Sequence, residues 1–151
     1  VVIFENSSNI NTSQWPVVID IEDNFYFKSE AGNILASPAD ETDSPPCDAQ
    51  PEELDIAMTI DRLQNATNFN IKKINHKWAG LRSFFPDRTP IVGEDPLKSG
   101  FYWLAGQGGY GIQTSPGISK IIECLITGTK WPDYLSDNSI TPETLSPKRK
   151  I

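Results

Sequence analysis

Two features of the sequence have residue types and spacing suited to chemistry. The first is Gly106-Gln107-Gly108-Gly109-Tyr110-Gly111, four glycines in six residues, set between an apolar run and a segment of helical character. Glycine lacks a Cβ, so backbone at these positions can approach a ligand closely. A helix beginning just beyond offers N–H groups without intrahelical partners and a partial positive charge. These suit an anion, or a ring that becomes anionic during reaction. The segment satisfies G-x-G-x-x-G only superficially. It lacks the βαβ context and the acidic residue ~20 positions on that a dinucleotide site requires, and it lacks the Lys-Ser/Thr ending of a P-loop. By itself the motif serves a purely structural turn equally well. The second feature is Arg82, in Trp78-Ala79-Gly80-Leu81-Arg82. It reads as a cation within an apolar strand, and a buried cation is costly unless paired. Its planar fork suits a carboxylate, which a ligand or an acidic side chain of the protein can supply equally.

The remaining reactive residue types say less. His76, the one histidine, reads as a strand residue rather than a base. Cys47 and Cys124 are far apart, form no CxxC pair and read as reduced thiols of an intracellular protein.

The elements that must position Arg82 and the glycine loop can be read from periodicity. Val1 to Glu5 reads as a strand, and Asn6 to Ser13 as a polar loop. The runs Val17 to Ile21 and Phe25 to Phe27 flank the turn Glu22-Asp23-Asn24 and predict a hairpin. A turn at Glu30-Ala31-Gly32-Asn33 leads to a third strand, Ile34 to Ala36. After a Pro-, Asp- and Ser-rich loop over 37–50, Pro51 is placed to open a helix. Glu52 and Glu53 lie in its first turn; Leu54, Ala57 and Met58 share a face with Ile56, Ile60 and Leu63 beside it, apolar enough to pack on a sheet. Residues 70–85 read as extended, Pro86 to Pro90 as a turn, Ile91 to Gly93 as a short strand, and Gly100 to Ala105 as a buried strand. Ile118, Ile121, Ile122 and Leu125 then mark a helix that Gly128 ends. Beyond Trp131-Pro132 a polar tail with one short helical turn is expected.

Charge narrows the class of partner. Thirteen basic against twenty acidic residues give a net charge of -7, which argues against a nucleic-acid binder. The basic stretch Lys148-Arg149-Lys150 reads as a solvated terminus. No apolar run reaches the ~20 residues of a membrane span, so no integral membrane segment is expected. The opening residues lack the basic start of a signal peptide. The triplets Asn6-Ser7-Ser8, Asn11-Thr12-Ser13 and Asn65-Ala66-Thr67 match the glycosylation sequon and read as chance occurrences.

An ordered set of motifs carries a resemblance. The runs WAGLRSFFPDRTPIVG and GFYWLAGQGGYGIQTSPG, together with FYFKSEAGNILASPADE, CDAQPEELDIA and LSPKRK, resemble the C-terminal part of the D-amino-acid oxidase superfamily of FAD-dependent oxidoreductases. The likeness is closest to D-amino-acid dehydrogenases of the D-arginine dehydrogenase type and runs from about residue 15 to the end. It implies an α+β fold. Residues 1–82 would form part of a substrate-binding domain with an antiparallel or mixed sheet, and residues 83–151 the last strands and helix of an FAD-binding domain. It also implies that the Cα–N bond of an amino acid, a D-amino acid in the nearest relatives, is oxidised by hydride transfer to the flavin. Arg82 would clamp the substrate α-carboxylate, Tyr26 would reach the same carboxylate through its hydroxyl, and the backbone of Gly109 would meet the amine. Val17 and Ile19 would flank the substrate side chain. Gly108, Tyr110, Gly111, Ile112, Gln113 and Thr114 would line the flavin ring. No acid–base side chain and no metal is implied. Tyr26 as a core aromatic, and Val17 and Ile19 as ordinary strand residues, remain open alternatives.

Two other functions stay in play: a glycine- or sarcosine-oxidase-like amine oxidoreductase, and a non-catalytic binding domain that retains the fold. The expected location is cytoplasmic, either free or peripheral to the inner membrane in a full-length protein. The family's N-terminal Rossmann portion, which grips the ADP half of FAD, has no counterpart among these residues, so that portion is an expected partner. Exposed sheet edges are expected to favour self-association. The 151-residue chain alone is therefore expected to bind FAD weakly and to show no turnover. Purification without a flavin absorbance band is the predicted outcome, and a yellow preparation would contradict it.

Overall fold

A computed structural model describes residues 1–6 and 10–150. The sequon at Asn6-Ser7-Ser8 and the centre of the expected 6–13 loop lie outside the described residues. The chain divides into two compact units, Val1–Leu81 and Arg82–Ile151. Both are α+β with antiparallel strand pairing, in keeping with the expected fold class.

The first unit is a five-stranded sheet with one helix. Its strands are β1 (Val2–Glu5), β2 (Val18–Ile19), β3 (Tyr26–Glu30), β4 (Asn33–Ser37) and β5 (Ile74–Lys77), in the order β2-β3-β4-β1-β5. Alternation decides which face is covered: Val2 and Phe4 of β1, Phe27 of β3, and Ile34 and Ala36 of β4 are buried, with Phe25 just before β3. The β3–β4 hairpin turns through Ala31 and Gly32 at φ +48° and +83°. Two consecutive left-handed residues make the turn whose twist matches that of the flanking strands. Phe69 places its ring edge-on to both Phe4 and Phe27, at centroid distances of 5.5 and 5.3 Å, closing the core.

Helix α1 (Glu53–Ala66) covers this face through Ile56 and Leu63, with Thr59 buried between them. Glu53 and Asp55 put negative charge on its first turn, where the helix dipole favours it. Pro51 stands before the cap residue Glu52 rather than inside the helix, a correction to the expected start. Of the apolar residues read on this helix, Ile56, Ile60 and Leu63 carry the packing. Leu54 is exposed because it precedes Ile56 by two residues, about 200° round the helix. The main-chain carbonyls of Asn24 and Pro38 both accept from Arg62 Nη1, which ties the helix to the strand ends at 2.7 and 3.4 Å. Of the stretch read as extended, only Ile74–Lys77 pairs as a strand, and Trp78 and Leu81 are exposed.

The second unit contains β6 (Ile91–Glu94) and β7 (Tyr102–Ala105), paired antiparallel, then α2 (Gly111–Thr127), α3 (Asp133–Asp137) and α4 (Pro142–Leu145). Val92, Ile118, Ile121, Leu135 and Leu145 form its core. The tail thus holds two short helices where one turn was expected. The strand 102–105 forms as expected, but Trp103 and Leu104 are exposed rather than buried. Gly128 ends α2 in the left-handed conformation, its N–H donating to the Cys124 carbonyl at 3.0 Å.

Leu63 is fully buried and Leu54 is not, so Leu63→Ala should cost about 2–5 kcal/mol, while Leu54→Ala should stay within about 0.5 kcal/mol. Denaturant midpoints of the two variants check this, and equal losses would contradict the packing described.

Candidate functional site

The site builds outward from β7. Past Ala105 the strand breaks at Gly106, whose φ of +68° is left-handed, and Gln107 forms an antiparallel bridge with Phe84. The Gly108 N–H then donates to the Ser83 carbonyl at 2.9 Å. One continuous segment, Tyr102 to Gly108, therefore pairs first with β6 and then with residues 83–84. Glycine is required where these chains cross. A Cβ on Gly106 would lie 3.3 Å from the Phe85 nitrogen and 3.9 Å from that of Ile91. A Cβ on Gly108, at φ +53°, would stand 2.5 Å from Cε1 of Phe84.

Arg82 and Gly109 are brought together here. A Cβ on Gly109 would lie 3.2 Å from Arg82 Nη1, so the guanidinium rests against bare backbone. Its Cζ is 5.4 Å from the Phe84 ring centroid, and Arg88 approaches the same ring at 5.0 Å. Such cation–ring contacts favour a flat lie on the aromatic ring. Arg82 is neither buried nor within a strand, which corrects the reading of a cation inside an apolar strand.

Beyond Gly109 the chain turns, with the Tyr110 N–H donating to the Gln107 carbonyl at 3.0 Å, and enters α2 at Gly111. The first helical bond runs from the Thr114 N–H to the Tyr110 carbonyl. No described side chain caps this helix and no acid lies in its first turn. The N–H groups and partial positive charge of a helix start are thus neither covered nor neutralised by a capping side chain. Pro116 leaves the Ile112 carbonyl without its usual helical donor, and the Ser115 hydroxyl donates to that oxygen at 2.8 Å instead. Tyr110 and Ile112 are largely exposed, Gln113 is exposed and Thr114 half-buried. The Cβ sides of Gly108, Gly109 and Gly111 are taken by Phe84, Arg82 and Gln107, so the loop is packed tightly against these side chains beside an uncapped helix start.

Tyr26, Ile19 and Val17 belong to the first unit. Tyr26 stands opposite Ile19 across the β2–β3 pair. Its neighbours Phe25 and Phe27 are buried, so Tyr26 and Ile19 share the sheet face turned away from the core. Val17, just before β2, and Ile19 are exposed, and Tyr26 is half-buried. His76 lies exposed on β5, its ring 5.4 Å from that of Trp78. Both cysteines are free thiols. Among the described residues there is no group of metal-binding side chains, and no helix is long and apolar enough to cross a membrane. Two open surface clefts, one beside Val92 and Leu125 and one beside Asp20 and Arg62, include neither Arg82 nor Gly109.

Sequence reasoning missed one pair. Arg149, read as part of a solvated terminus, makes a two-pronged ion pair with Asp87, and its side chain is only 9% exposed. The hydrogen bond from Arg149 is the main reason the Asp87 carboxyl titrates far below the usual range, at about 2. No local signal marks the pair, because Asp87 lies in an ordinary polar turn and Arg149 is 62 residues further along the chain.

Comparison with known proteins places these residues in context. The family described as FAD dependent oxidoreductase (DAO) matches residues 1–125. A D-amino acid dehydrogenase of Vibrio atlanticus (strain LGP32) is 36% identical over 61 residues, which are 40% of this chain and 14% of that protein. The uncharacterized oxidoreductase YurR of Bacillus subtilis (strain 168) is 27% identical over 128 residues, 80% of this chain and 33% of its own length. The chain spans at most about a third of either relative.

The crossing at Gly108 yields a paired prediction. Gly108→Ala should destabilise by about 2–4 kcal/mol, from left-handed strain plus collision with Phe84. Gly117→Ala has open space around it within α2 and should stabilise by about 0.5–1 kcal/mol. Thermal or denaturant unfolding of both variants checks the contrast.

Proposed function

Because the chain belongs to the DAO family of FAD-dependent oxidoreductases, we propose that it carries the carboxylate-binding part of an enzyme that oxidises the Cα–N bond of an amino acid. The similarity to the Vibrio dehydrogenase favours a D-amino acid as substrate. The observation that carries this reading is the contact of the Arg82 guanidinium with Gly109, where the glycine loop enters α2.

In this reading Arg82 binds the substrate α-carboxylate through two parallel N–H···O bonds, which fix both position and orientation. Phe84 supports the guanidinium from one side. Gly109, without a side chain, leaves room for the substrate amine beside its backbone. FAD, when bound, supplies the hydride acceptor. Gly108, Tyr110, Gly111, Ile112, Gln113 and Thr114 would hold its ring, and the start of α2 favours negative charge at the edge it faces. From the first unit, Tyr26, Ile19 and Val17 are assigned as substrate contacts on the sheet face where they stand. Residues 1–82 would then belong to the substrate domain and residues 83–151 to the FAD domain. None of these roles asks a side chain of the chain to give or take a proton.

The test uses the full-length protein with a panel of D- and L-amino acids. Arg82→Met should lower kcat/KM for the best substrate by roughly a hundredfold or more, since it leaves a carboxylate without its charged partner. Arg82→Lys keeps the charge but not the fork, so its loss should be smaller. An unchanged kcat/KM in Arg82→Met, with flavin retained, sinks the proposal.

A further inference from the structure

The second unit loops out the segment between Phe85 and Ile91. On one side of the ladder Ile91 faces Ala105, and on the other Phe84 faces Gln107. Two residues of advance along 105–107 are thus met by seven along 91–84, and the difference is a looped excursion closed over Gly106. The β6–β7 pairing on one side, and the Phe84–Gln107 bridge with the Gly108–Ser83 bond on the other, can form together only if the excursion between them keeps its shape. Contacts from outside the ladder hold that shape.

Arg149 does so by its contacts. Its Nε donates to Asp87 Oδ2 at 2.7 Å, and its Nη2 donates to Asp87 Oδ1 at 2.8 Å and to the Thr89 carbonyl at 2.7 Å. Its Nη1 donates to the Pro90 carbonyl at 3.2 Å and to those of Leu145 and Ser146 at 3.1 and 3.2 Å. The Cζ atom sits 4.5 Å over the Phe85 ring centroid. All three nitrogens are used, and contacts reach residues 85, 87, 89 and 90 of the excursion. The tail that brings Arg149 is itself anchored. Leu145 is buried beside Val92, and a Cβ on Gly93 would lie 2.9 Å from Cδ of Pro147, so only glycine lets the tail lie this close to β6. With its carboxyl held at about 2, Asp87 stays charged, and the ion pair intact, at any pH above the ordinary carboxylate range.

We propose that Arg149 is a positioning residue for the Arg82 site: it fills the 85–91 excursion and fixes the register that holds Arg82 against Gly109. The proposal rests on the reading of Arg82 as the carboxylate anchor. It differs from a merely stabilising role in one respect: loss of Arg149 acts on carboxylate binding through Arg82.

The test titrates the full-length flavin-loaded protein with propionate, a carboxylate without an amine to oxidise, and follows the flavin absorbance band. Arg149→Lys keeps the charge and loses the fork. It should weaken propionate roughly tenfold in the parent and not measurably in an Arg82→Met background, because the two residues act in series. Flavin content should be unchanged. If Arg149→Lys binds propionate like the parent while Arg82→Met is impaired, the positioning role is overturned and the carboxylate-anchor reading survives. The same holds if Arg149→Lys weakens binding equally in both backgrounds. If Arg82→Met binds propionate like the parent, the anchor reading falls and the positioning role falls with it. Should Arg149→Lys not fold, Asp87→Asn, which keeps an oxygen for the Thr89 N–H, is judged by the same outcomes.

Discussion

Bare backbone at Gly106, Gly108 and Gly109 sets the closest approaches in the second unit, and the positions of Arg82 and the start of α2 depend on them. Phe84 lies where a Cβ on Gly108 would be, and the guanidinium of Arg82 lies just beyond where a Cβ on Gly109 would be. A two-stranded ribbon such as β6–β7 is marginal on its own in water. It is held because Val92 is packed among Ile118 and Ile121 of α2 and Leu145 of α4. The helix that buries the ribbon is also the helix whose uncapped start meets the glycine loop. One element therefore serves packing at Ile118 and Ile121 and carries, at its start, the residues proposed to line the flavin.

The first unit separates the same two tasks between faces of a sheet. Period-2 alternation sends Val2, Phe4, Phe27, Ile34 and Ala36 toward α1 and leaves Tyr26 and Ile19 on the opposite side. Because the covered face carries the stability, side chains on the other face are free to vary with what they contact. The ion pair of Lys77 with Glu53 joins β5 to α1 at the surface, where such pairs contribute little. Burial of residues such as Leu63 and Phe4 does most of the work of holding helix to sheet.

Much of this architecture could be read from residue order. Alternation gave the strands of the first unit, the Ala31-Gly32 pair its hairpin, and Gly128 the end of α2. What failed was burial, for a physical reason: periodicity reports which residues share a face, not whether that face is covered. Trp103 and Leu104 make an apolar strand that stays exposed, and Leu54 is apolar yet lies off the packing stripe. The chemistry and motif of Arg82 mark it as a candidate, but its apolar neighbours suggest a buried strand that does not form. Arg149 was missed because an ion pair closed through chain folding leaves no local trace. Its partner Asp87 and the carbonyls of Thr89 and Pro90 converge only once the excursion exists.

The exposure of Arg82 bears directly on how strongly it can hold an acid. Two unit charges 4 Å apart attract by about 1 kcal/mol in water and by about 4 kcal/mol at the effective dielectric near a protein surface. An exposed guanidinium therefore orients a carboxylate well and binds it weakly. Its geometry is set by contacts already present, Phe84 beneath and Gly109 beside it, whereas its strength depends on how much water is excluded around it. Tyr110 and Ile112, the exposed side chains immediately after Gly109, are those whose covering would dry this site. Orientation and affinity thus have separate origins. The crossing of the glycine loop with residues 82–84 supplies the first, and desolvation at the mouth of α2 would supply the second.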